Sequence, residues 1–332
     1  MLLMKIAVIG LGSMGKRRIR LIKDILGENV EIYCVDSNEK RCIDVKNEYG
    51  VVCVSDLSIL LDENSIDAAF IATSPLAHAS LITTCLEHGI HVFTELNLVD
   101  TDYEKNIALA KRNNKVLFLS STMLYRKEIQ YIARCIKEAD CFVNYTYHVG
   151  QYLPDWHPWD VLEEFFISKK ATNGCRELFA IELPWIVNAF GRIVKYDVVK
   201  SKSSKLPIDY ADNYLLLIEH ETGHKGVLAV DVISREAVRE LSVFGEDIFL
   251  KWNGTPRGLM CKNLKSGNMD TVNLYDDMQA EHIEGYSSNI IENAYADEIR
   301  NFFATINESD IPRYSFTLDK EILKLIDEIE AE

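Results

Sequence analysis

No stretch of about 20 consecutive apolar residues occurs in the chain, so no membrane-spanning helix is expected. Basic residues are outnumbered: 36 lysines and arginines against 51 aspartates and glutamates leave a formal net charge of −15. That balance argues against non-specific binding to nucleic acid or an anionic membrane, although backbone dipoles can still hold an anionic ligand. No two cysteines are spaced as CxxC. The eight, Cys34, Cys42, Cys53, Cys85, Cys135, Cys141, Cys175 and Cys261, are scattered, several of them within apolar strand and helix patterns. Reduced thiols packed as small hydrophobes, in the cytoplasm and without a zinc or other metal site, are the expectation. An apolar leader is missing too, since the first strand starts almost at once. Arg17-Arg18 follows a glycine turn with no apolar region after it, so neither a signal peptide nor a twin-arginine export signal is expected. Internal repeats and low-complexity segments are also absent. What remains is 332 residues, 48% hydrophobic and 26% charged, an ordinary composition for about two globular domains.

The most informative stretch runs from Met4 to Asp36: an apolar strand, the turn Gly10-Leu11-Gly12-Ser13-Met14-Gly15, a helical run, a second apolar strand and an acid. Each glycine has a role in holding a dinucleotide. Gly10 permits the tight turn, Gly12 lets a pyrophosphate approach the backbone, and Gly15 lets helix and strand pack closely. The helix start offers free N–H groups and a positive dipole end to phosphate. Asp36 ends the second strand, where a carboxylate accepts both ribose hydroxyls. The bland alternative is a glycine turn in some other βαβ unit. Asp36 is followed by Ser37-Asn38, which offers no arginine for a 2′-phosphate, so NAD is favoured over NADP. The basic cluster Lys16, Arg17, Arg18, Arg20 and Lys23 is read as a solvated helix face, with a minor role at cofactor phosphate as the alternative.

Strands and helices then alternate with short connections up to about residue 120, which predicts a parallel, doubly wound sheet with ligands at the carboxyl ends of its strands. Beyond that the pattern changes to a helix over 126–139, a long strand over 141–150, a helix over 174–190, strands near 194–202, 212–219, 225–234, 239–244 and 247–252, and helices over 290–307 and 317–330. The fold class expected is α/β: an N-terminal Rossmann sheet over 1–121 and a C-terminal α+β domain over 122–332 with an open, mostly antiparallel sheet.

This arrangement resembles the glucose-fructose oxidoreductase / inositol dehydrogenase / MocA family of NAD(P)-dependent sugar oxidoreductases. The resemblance rests on the Gly10–Gly15 loop, Asp36, the segment Thr73-Ser74-Pro75 with His78, Glu95 after the fifth strand, and Tyr125-Arg126. It implies a cofactor site made from Gly10, Leu11, Gly12, Ser13, Met14, Gly15, Asp36, Thr73, Ser74, Pro75, His78 and Glu95. It further implies a substrate site in the C-terminal half, a homodimer or homotetramer assembled through the exposed face of that half's sheet, and hydride transfer at a hydroxyl-bearing carbon. Two departures stand out. The family's Glu-Lys-Pro is Glu95-Leu96-Asn97 here, and the family's Asp and His on a later helix align with Ala180 and Pro184.

Oxidising an alcohol needs a base and an electropositive partner for the oxygen. The loop Gly150 to Asp160 offers an imidazole, carboxylates and aromatic rings suited to a sugar. It resembles a stretch in family members associated with surface-polysaccharide pathways, which points to an amino sugar or nucleotide sugar. His157 is the first candidate for acid–base work, and the alternative is that it only shapes the loop or contacts a neighbouring subunit. Glu182, in an apolar helix segment, is the second. Its alternative is a buried ion pair with Arg176 or Arg126. Arg126, Asp155, Trp156 and Arg176 are candidate substrate contacts. Two further readings stand beside the oxidoreductase: an NAD-binding but catalytically degenerate regulatory or partner subunit, and non-redox sugar chemistry with retained NAD.

Overall fold

Six short apolar runs pair side by side in the N-terminal part of the computed structural model, which describes residues 3–63, 65–156, 165–275 and 291–332. They are β1 (Met4–Ile9), β2 (Val30–Val35), β3 (Val52–Val54), β4 (Ala68–Ile71), β5 (His91–Thr94) and β6 (Leu117–Leu119). All pair in parallel, in the order β3-β2-β1-β4-β5-β6. The helices between them are α1 (Ser13–Leu26), α2 (Glu39–Tyr49), α3 (Leu57–Glu63), α4 (Pro75–Glu87) and α5 (Tyr103–Arg112). This is the doubly wound arrangement expected from the sequence. Strand order reverses between β1 and β4, so the ligand crevice falls at the ends of those two strands.

The chain groups into two compact units, Met1–Ser121 with Tyr295–Glu321, and Thr122–Ala294 with Ile322–Glu332. The return of Tyr295–Glu321 to the first unit is not visible in the sequence pattern. Its cause is aromatic packing. Phe70, Phe93 and Phe118 stack across β4, β5 and β6 at 4.8 and 5.1 Å between ring centroids. Phe302 meets Phe70 edge-on at 5.3 Å and lies 5.6 Å from each of the other two rings.

Two expectations are corrected in this unit. Arg17 and Arg18 do not lie on a solvated helix face: both are buried, and Arg18 is fully enclosed. The cysteines are not all free thiols either, because Cys42 of α2 and Cys53 of β3 form a disulfide, with their Cα atoms 5.6 Å apart. The packing of α2 along β3 brings together two residues that lack any recognisable motif.

The second unit contains α6 (Lys127–Glu138), β7 (Asn144–Gly150), α7 (Gly174–Phe190), β8 (Ile193–Ser201), β9 (Asn213–His220), β10 (Lys225–Asp231), β11 (Val238–Phe244), β12 (Phe249–Trp252), β13 (Met260–Lys262) and β14 (Met269–Thr271). The helices α8 (Glu292–Ile306) and α9 (Phe316–Ala331) end the chain. The eight strands form one sheet in the order β14-β13-β12-β11-β7-β10-β9-β8. Only β7 and β10 pair in parallel, so the sheet is mostly antiparallel as expected, while the three-residue strands β13 and β14 are too short to show in the sequence.

Alternation decides which face is covered. In β9, Tyr214, Leu216 and Ile218 are buried, whereas Leu215 and Leu217 point out at 54% and 59% exposure. The buried face meets α7, with Tyr145 and Phe190 rings 4.3 Å apart and Phe179 edge-on to Tyr214 at 5.3 Å. Pro184 has no N–H to give the Ala180 carbonyl, yet α7 runs through it. Its neighbours Leu183, Trp185 and Ile186 are wholly buried, and that burial outweighs one missing bond.

Candidate functional site

The glycine turn after β1 has the shape a dinucleotide requires. Gly10 has φ +92°, and a Cβ on it would stand 2.6 Å from the Ala72 carbonyl oxygen. A Cβ on Gly15 would stand 1.9 Å from the carbonyl oxygen of Gly10. Above Gly12, in contrast, an added Cβ would meet nothing within 4 Å, which leaves open space at the start of α1. The N-cap is Gly12, which has no side chain to cap the helix, so the first N–H groups of α1 face this space with their positive dipole end. Gly15→Ala is therefore expected to push the turn away from α1 and to cost NADH affinity at least about tenfold, a change an NADH fluorescence titration reads.

Asp36 completes the turn from the second strand. Its Oδ2 accepts the Leu11 N–H at 2.8 Å and its Oδ1 accepts the Asn38 N–H at 2.8 Å. Each carboxylate oxygen keeps a further lone pair, which is what two ribose hydroxyls need. Ser13 and Ser74 are exposed, Met14 and Thr73 half-buried, and Leu11 and Pro75 buried.

His78 is enclosed beneath the Thr73-Ser74-Pro75 turn. Its Nε2 lies 3.0 Å from the Thr73 carbonyl oxygen and its Nδ1 lies 2.6 Å from Asn97 Oδ1. Burial pushes the imidazole pKa down, against the smaller opposing effect of these hydrogen bonds, so the ring is neutral at pH 7. A carbonyl cannot donate, so Nε2–H donates to Thr73 and Nδ1 accepts. The Thr94 hydroxyl, 3.3 Å away, meets that need, and a half-turn of the Asn97 amide, whose NH₂ is buried without a partner as placed, brings a second donor to Nδ1. His78 thus braces the turn at the end of β4 from below. Asn97 is a residue that sequence reading passed over, although it fills the third position of the altered Glu-Lys-Pro stretch.

Glu95 is held by Arg18, with Nε to Oε1 at 2.6 Å and Nη2 to Oε2 at 3.1 Å. Arg18 also donates to Glu298 at 2.9 Å and to the Ser120 hydroxyl at 3.3 Å. Burial lowers the Arg18 pKa, but the two carboxylates outweigh it and raise it overall. Glu298 accepts the Ser121 N–H at 2.7 Å, which ties the end of β6 to α8. Leu96, in the place of the family's lysine, is half-buried.

In the second unit, Glu182 is wholly buried and fully occupied. Its Oε2 accepts from Tyr147 at 2.7 Å and from the Trp185 indole at 2.6 Å, and its Oε1 accepts from Arg239 Nη2 at 2.7 Å and Nε at 3.0 Å. The buried ion pair is thus made with Arg239, not with Arg176 or Arg126. A carboxylate saturated in this way has no free lone pair directed at a substrate proton.

Arg126 pairs with Glu128 at 2.9 Å, donates to the Gly254 carbonyl at 3.0 Å and stacks over Trp252 at 4.9 Å. Arg176 pairs with Asp327 at 2.7 Å and Glu330 at 2.5 Å. Both arginines are tied into the framework of the unit. Asp155 is exposed and Trp156 half-buried, while His157 lies outside the described residues.

Residues 4–121 match the model of the GFO_IDH_MocA family, described as an oxidoreductase family with an NAD-binding Rossmann fold. That match is confined to the N-terminal segment. Among curated proteins, the myo-inositol 2-dehydrogenase of Thermotoga maritima is 27% identical over 140 residues, 40% of this chain and 41% of that protein. The matched segment spans about two fifths of the length of the curated relatives it resembles. Among solved structures, a levoglucosan dehydrogenase in complex with NADH superposes with a TM-score of 0.81 at 15% identity, covering 99% of this chain and 96% of the other. The UDP-N-acetylglucosamine 3-dehydrogenase of Acidithiobacillus ferrooxidans gives 0.74 at 17% identity, covering 100% and 98%. At such identities these superpositions establish the fold across the whole chain.

Proposed function

We propose that the protein is an NAD-dependent oxidoreductase that removes or returns a hydride at a hydroxyl-bearing carbon of a sugar, amino sugar or nucleotide sugar. The observation that carries this reading is the turn at Gly10–Gly15 braced by Asp36: open space over Gly12, uncapped N–H groups at the start of α1, and a carboxylate with lone pairs to spare. The sugar class is supported by relatives and structural neighbours named for myo-inositol, levoglucosan and UDP-N-acetylglucosamine.

In this mechanism the N–H groups of α1 and the Gly12 backbone hold pyrophosphate, and Asp36 takes the adenosine ribose. The Thr73–Pro75 turn, stiffened by His78, lines the carboxyl end of β4. NAD, when bound, supplies the hydride acceptor or donor. Leu96 can neither donate a hydrogen bond nor carry charge, and Ala180 and Pro184 transfer no proton. A different proton-transfer group must then act, and the catalytic set is altered from the family's. We assign the protein to the cytoplasm. Among the described residues no helix is long and apolar enough to cross a membrane. It assembles as a homodimer or homotetramer through the exposed sheet face, where register places Val199 beside Leu215 and Leu217 beside Val227.

A second reading, a degenerate NAD-binding partner subunit, is favoured by Leu96 and Pro184 alone. The experiment that separates the two is NADH titration followed by turnover assays with levoglucosan, myo-inositol and UDP-N-acetylglucosamine over a range of pH. Saturable NADH binding with turnover of a sugar is expected. Binding without any turnover would support the degenerate subunit, and no NADH binding would sink both readings.

A further inference from the structure

Two bonded sulfur atoms lie beside the strand end that carries Asp36. The edge strand β3 pairs with β2 so that Cys34 stands beside Cys53 and Val35 beside Val54. The Val54 carbonyl accepts the Asp36 N–H at 3.2 Å. From the other side, α2 hangs on the same acid. Asp36 Oδ1 accepts the Asn38 N–H at 2.8 Å, Asn38 Oδ1 accepts the Arg41 N–H at 3.2 Å, and the Asn38 carbonyl accepts the Cys42 N–H at 3.1 Å. Cys42 Sγ then lies 3.4 Å from the Asp36 carbonyl oxygen and 3.8 Å from that of Val54. The Cys42–Cys53 bond thus joins α2 to β3 at the backbone that carries the Asp36 carboxylate.

A simpler role for this bond is a permanent staple. Its setting argues for exchange instead. All of β4 and the last four residues of β1 are buried and apolar, a core of the kind that small disulfide-dependent folds lack. The bond lies at the rim of the sheet: Val52 of β3 is 55% exposed and both bonded cysteines are half-buried, so a thiolate in solution has a path to the sulfurs. Cys34, in register with Cys53, is wholly buried, and burial pushes its pKa up to about 12. It stays protonated and does not compete for the bond. In the cytoplasm, to which we assign the protein, small thiols hold cysteines reduced, and the disulfides that do form there are transient and redox-responsive.

We propose that Cys42 and Cys53 form a reversible thiol–disulfide site, opened and closed by a low-molecular-weight thiol–disulfide couple, and that closing it tightens NADH binding by fixing α2 and β3 around Asp36. The coupling to the cofactor rests on the reading of Asp36 as the ribose carboxylate. In oxidation one cysteine thiolate attacks a small disulfide RSSR: a mixed protein–S–SR bond forms, the RS–SR bond breaks and RS⁻ leaves. The second thiolate attacks the protein sulfur of that mixed disulfide, the Cys42–Cys53 bond forms and a second RS⁻ leaves. The two thiol protons end on two RSH, so two cysteines are oxidised and one RSSR is reduced. Reduction reverses each exchange. In the open form the hydrogen bonds of Asn38 and Val54 remain, and the freed Cys42 thiol can donate to the Asp36 carbonyl. The loss on opening is therefore moderate, and it comes from the freedom that the start of α2 regains.

The test equilibrates wild type with excess reduced or excess oxidised glutathione and titrates each form with NADH, while alkylation and intact mass count free thiols. The oxidised form should carry two fewer free thiols and no added glutathione mass. It should bind NADH about threefold to tenfold more tightly than the reduced form. Cys42→Ser and Cys53→Ser should each bind NADH as reduced wild type does, in both buffers. Linkage requires the converse: saturating NADH should raise the ratio [GSH]²/[GSSG] at which half of the bond is open by that same factor. A thiol count that does not change between buffers, or glutathione mass in place of the internal bond, would overturn the site. Equal NADH affinities in two forms whose thiol counts differ would overturn the coupling. If neither form binds NADH, the cofactor reading fails and the coupling with it, while the thiol count still decides whether the bond exchanges.

Discussion

Replacing Arg18 by leucine should destabilise the first unit by about 3–5 kcal/mol, the usual cost of removing one partner from a buried charge cluster. Arg18 pairs with both Glu95 and Glu298, and its side chain is wholly buried, as is that of Glu298. Leucine fills much of the volume but removes the guanidinium that joins the two carboxylates. The loss should depend on pH. Burial raises the Glu298 pKa and Arg18 holds it down, so the variant raises it further. The folded variant then binds a proton that the unfolded chain releases, and its stability falls as pH rises through the folded pKa. Urea unfolding of both proteins at mildly acid and mildly alkaline pH checks this, with the larger gap expected at the alkaline end. Equal gaps at both pH values would remove the carboxylate explanation. Because Glu95 ends β5 and Glu298 anchors β6 through Ser121, NADH affinity should weaken in parallel.

Arg18 also marks what the sequence makes legible and what it hides. Gly10, Gly12, Gly15 and Asp36 are readable because their chemistry is local: a turn, a close approach, a helix start and a strand end within one βαβ unit. The alternation of β9 is readable for the same reason. The partners of Arg18 lie 77 and 280 residues away, and a run of five basic residues looks like any solvated helix face until the packing of α8 is known. Glu182 shows the same limit. Its setting among Ile181, Leu183 and Trp185 marks it as buried and paired. Nothing local selects Arg239, 57 residues on, over Arg176 or Arg126. Cys42 and Cys53 lie within the readable unit, yet their pairing depends on the azimuth of α2 about β3, which spacing alone does not fix. Glu177 sits in plain view in the helix motif. What distinguishes it from Glu182 is that its Oε2 has no hydrogen-bond partner among the described residues, and only a complete side-chain arrangement exposes that.

The second large effect is expected at Asp36. Asp36→Ser should weaken NADH binding by about tenfold to a hundredfold, the equivalent of roughly 1.5–3 kcal/mol for hydrogen bonds to a charged group, while weakening NADPH much less or strengthening it. The first part follows from the lost ribose acceptor and from the lost brace to Leu11 and Asn38. The second follows from Arg41, which stands in the first turn of α2 with Nη1 3.7 Å from Asp36 Oδ2 and a side chain 52% exposed. An arginine is therefore present beside the ribose position, although the residues directly after Asp36 show none. In the native protein its charge is answered by Asp36, and that same carboxylate repels a 2′-phosphate. Once the carboxylate is gone, the guanidinium is free to pair with phosphate in bidentate fashion. The double variant Asp36→Ser with Arg41→Ala isolates this term: it should retain the loss for NADH and lose the gain for NADPH. Fluorescence titrations of all three proteins with both cofactors provide the measurement. If Asp36→Ser weakens both cofactors equally, Arg41 does not reach the phosphate, and the preference for NAD arises from the shape of the pocket instead of from the balance of these two charges.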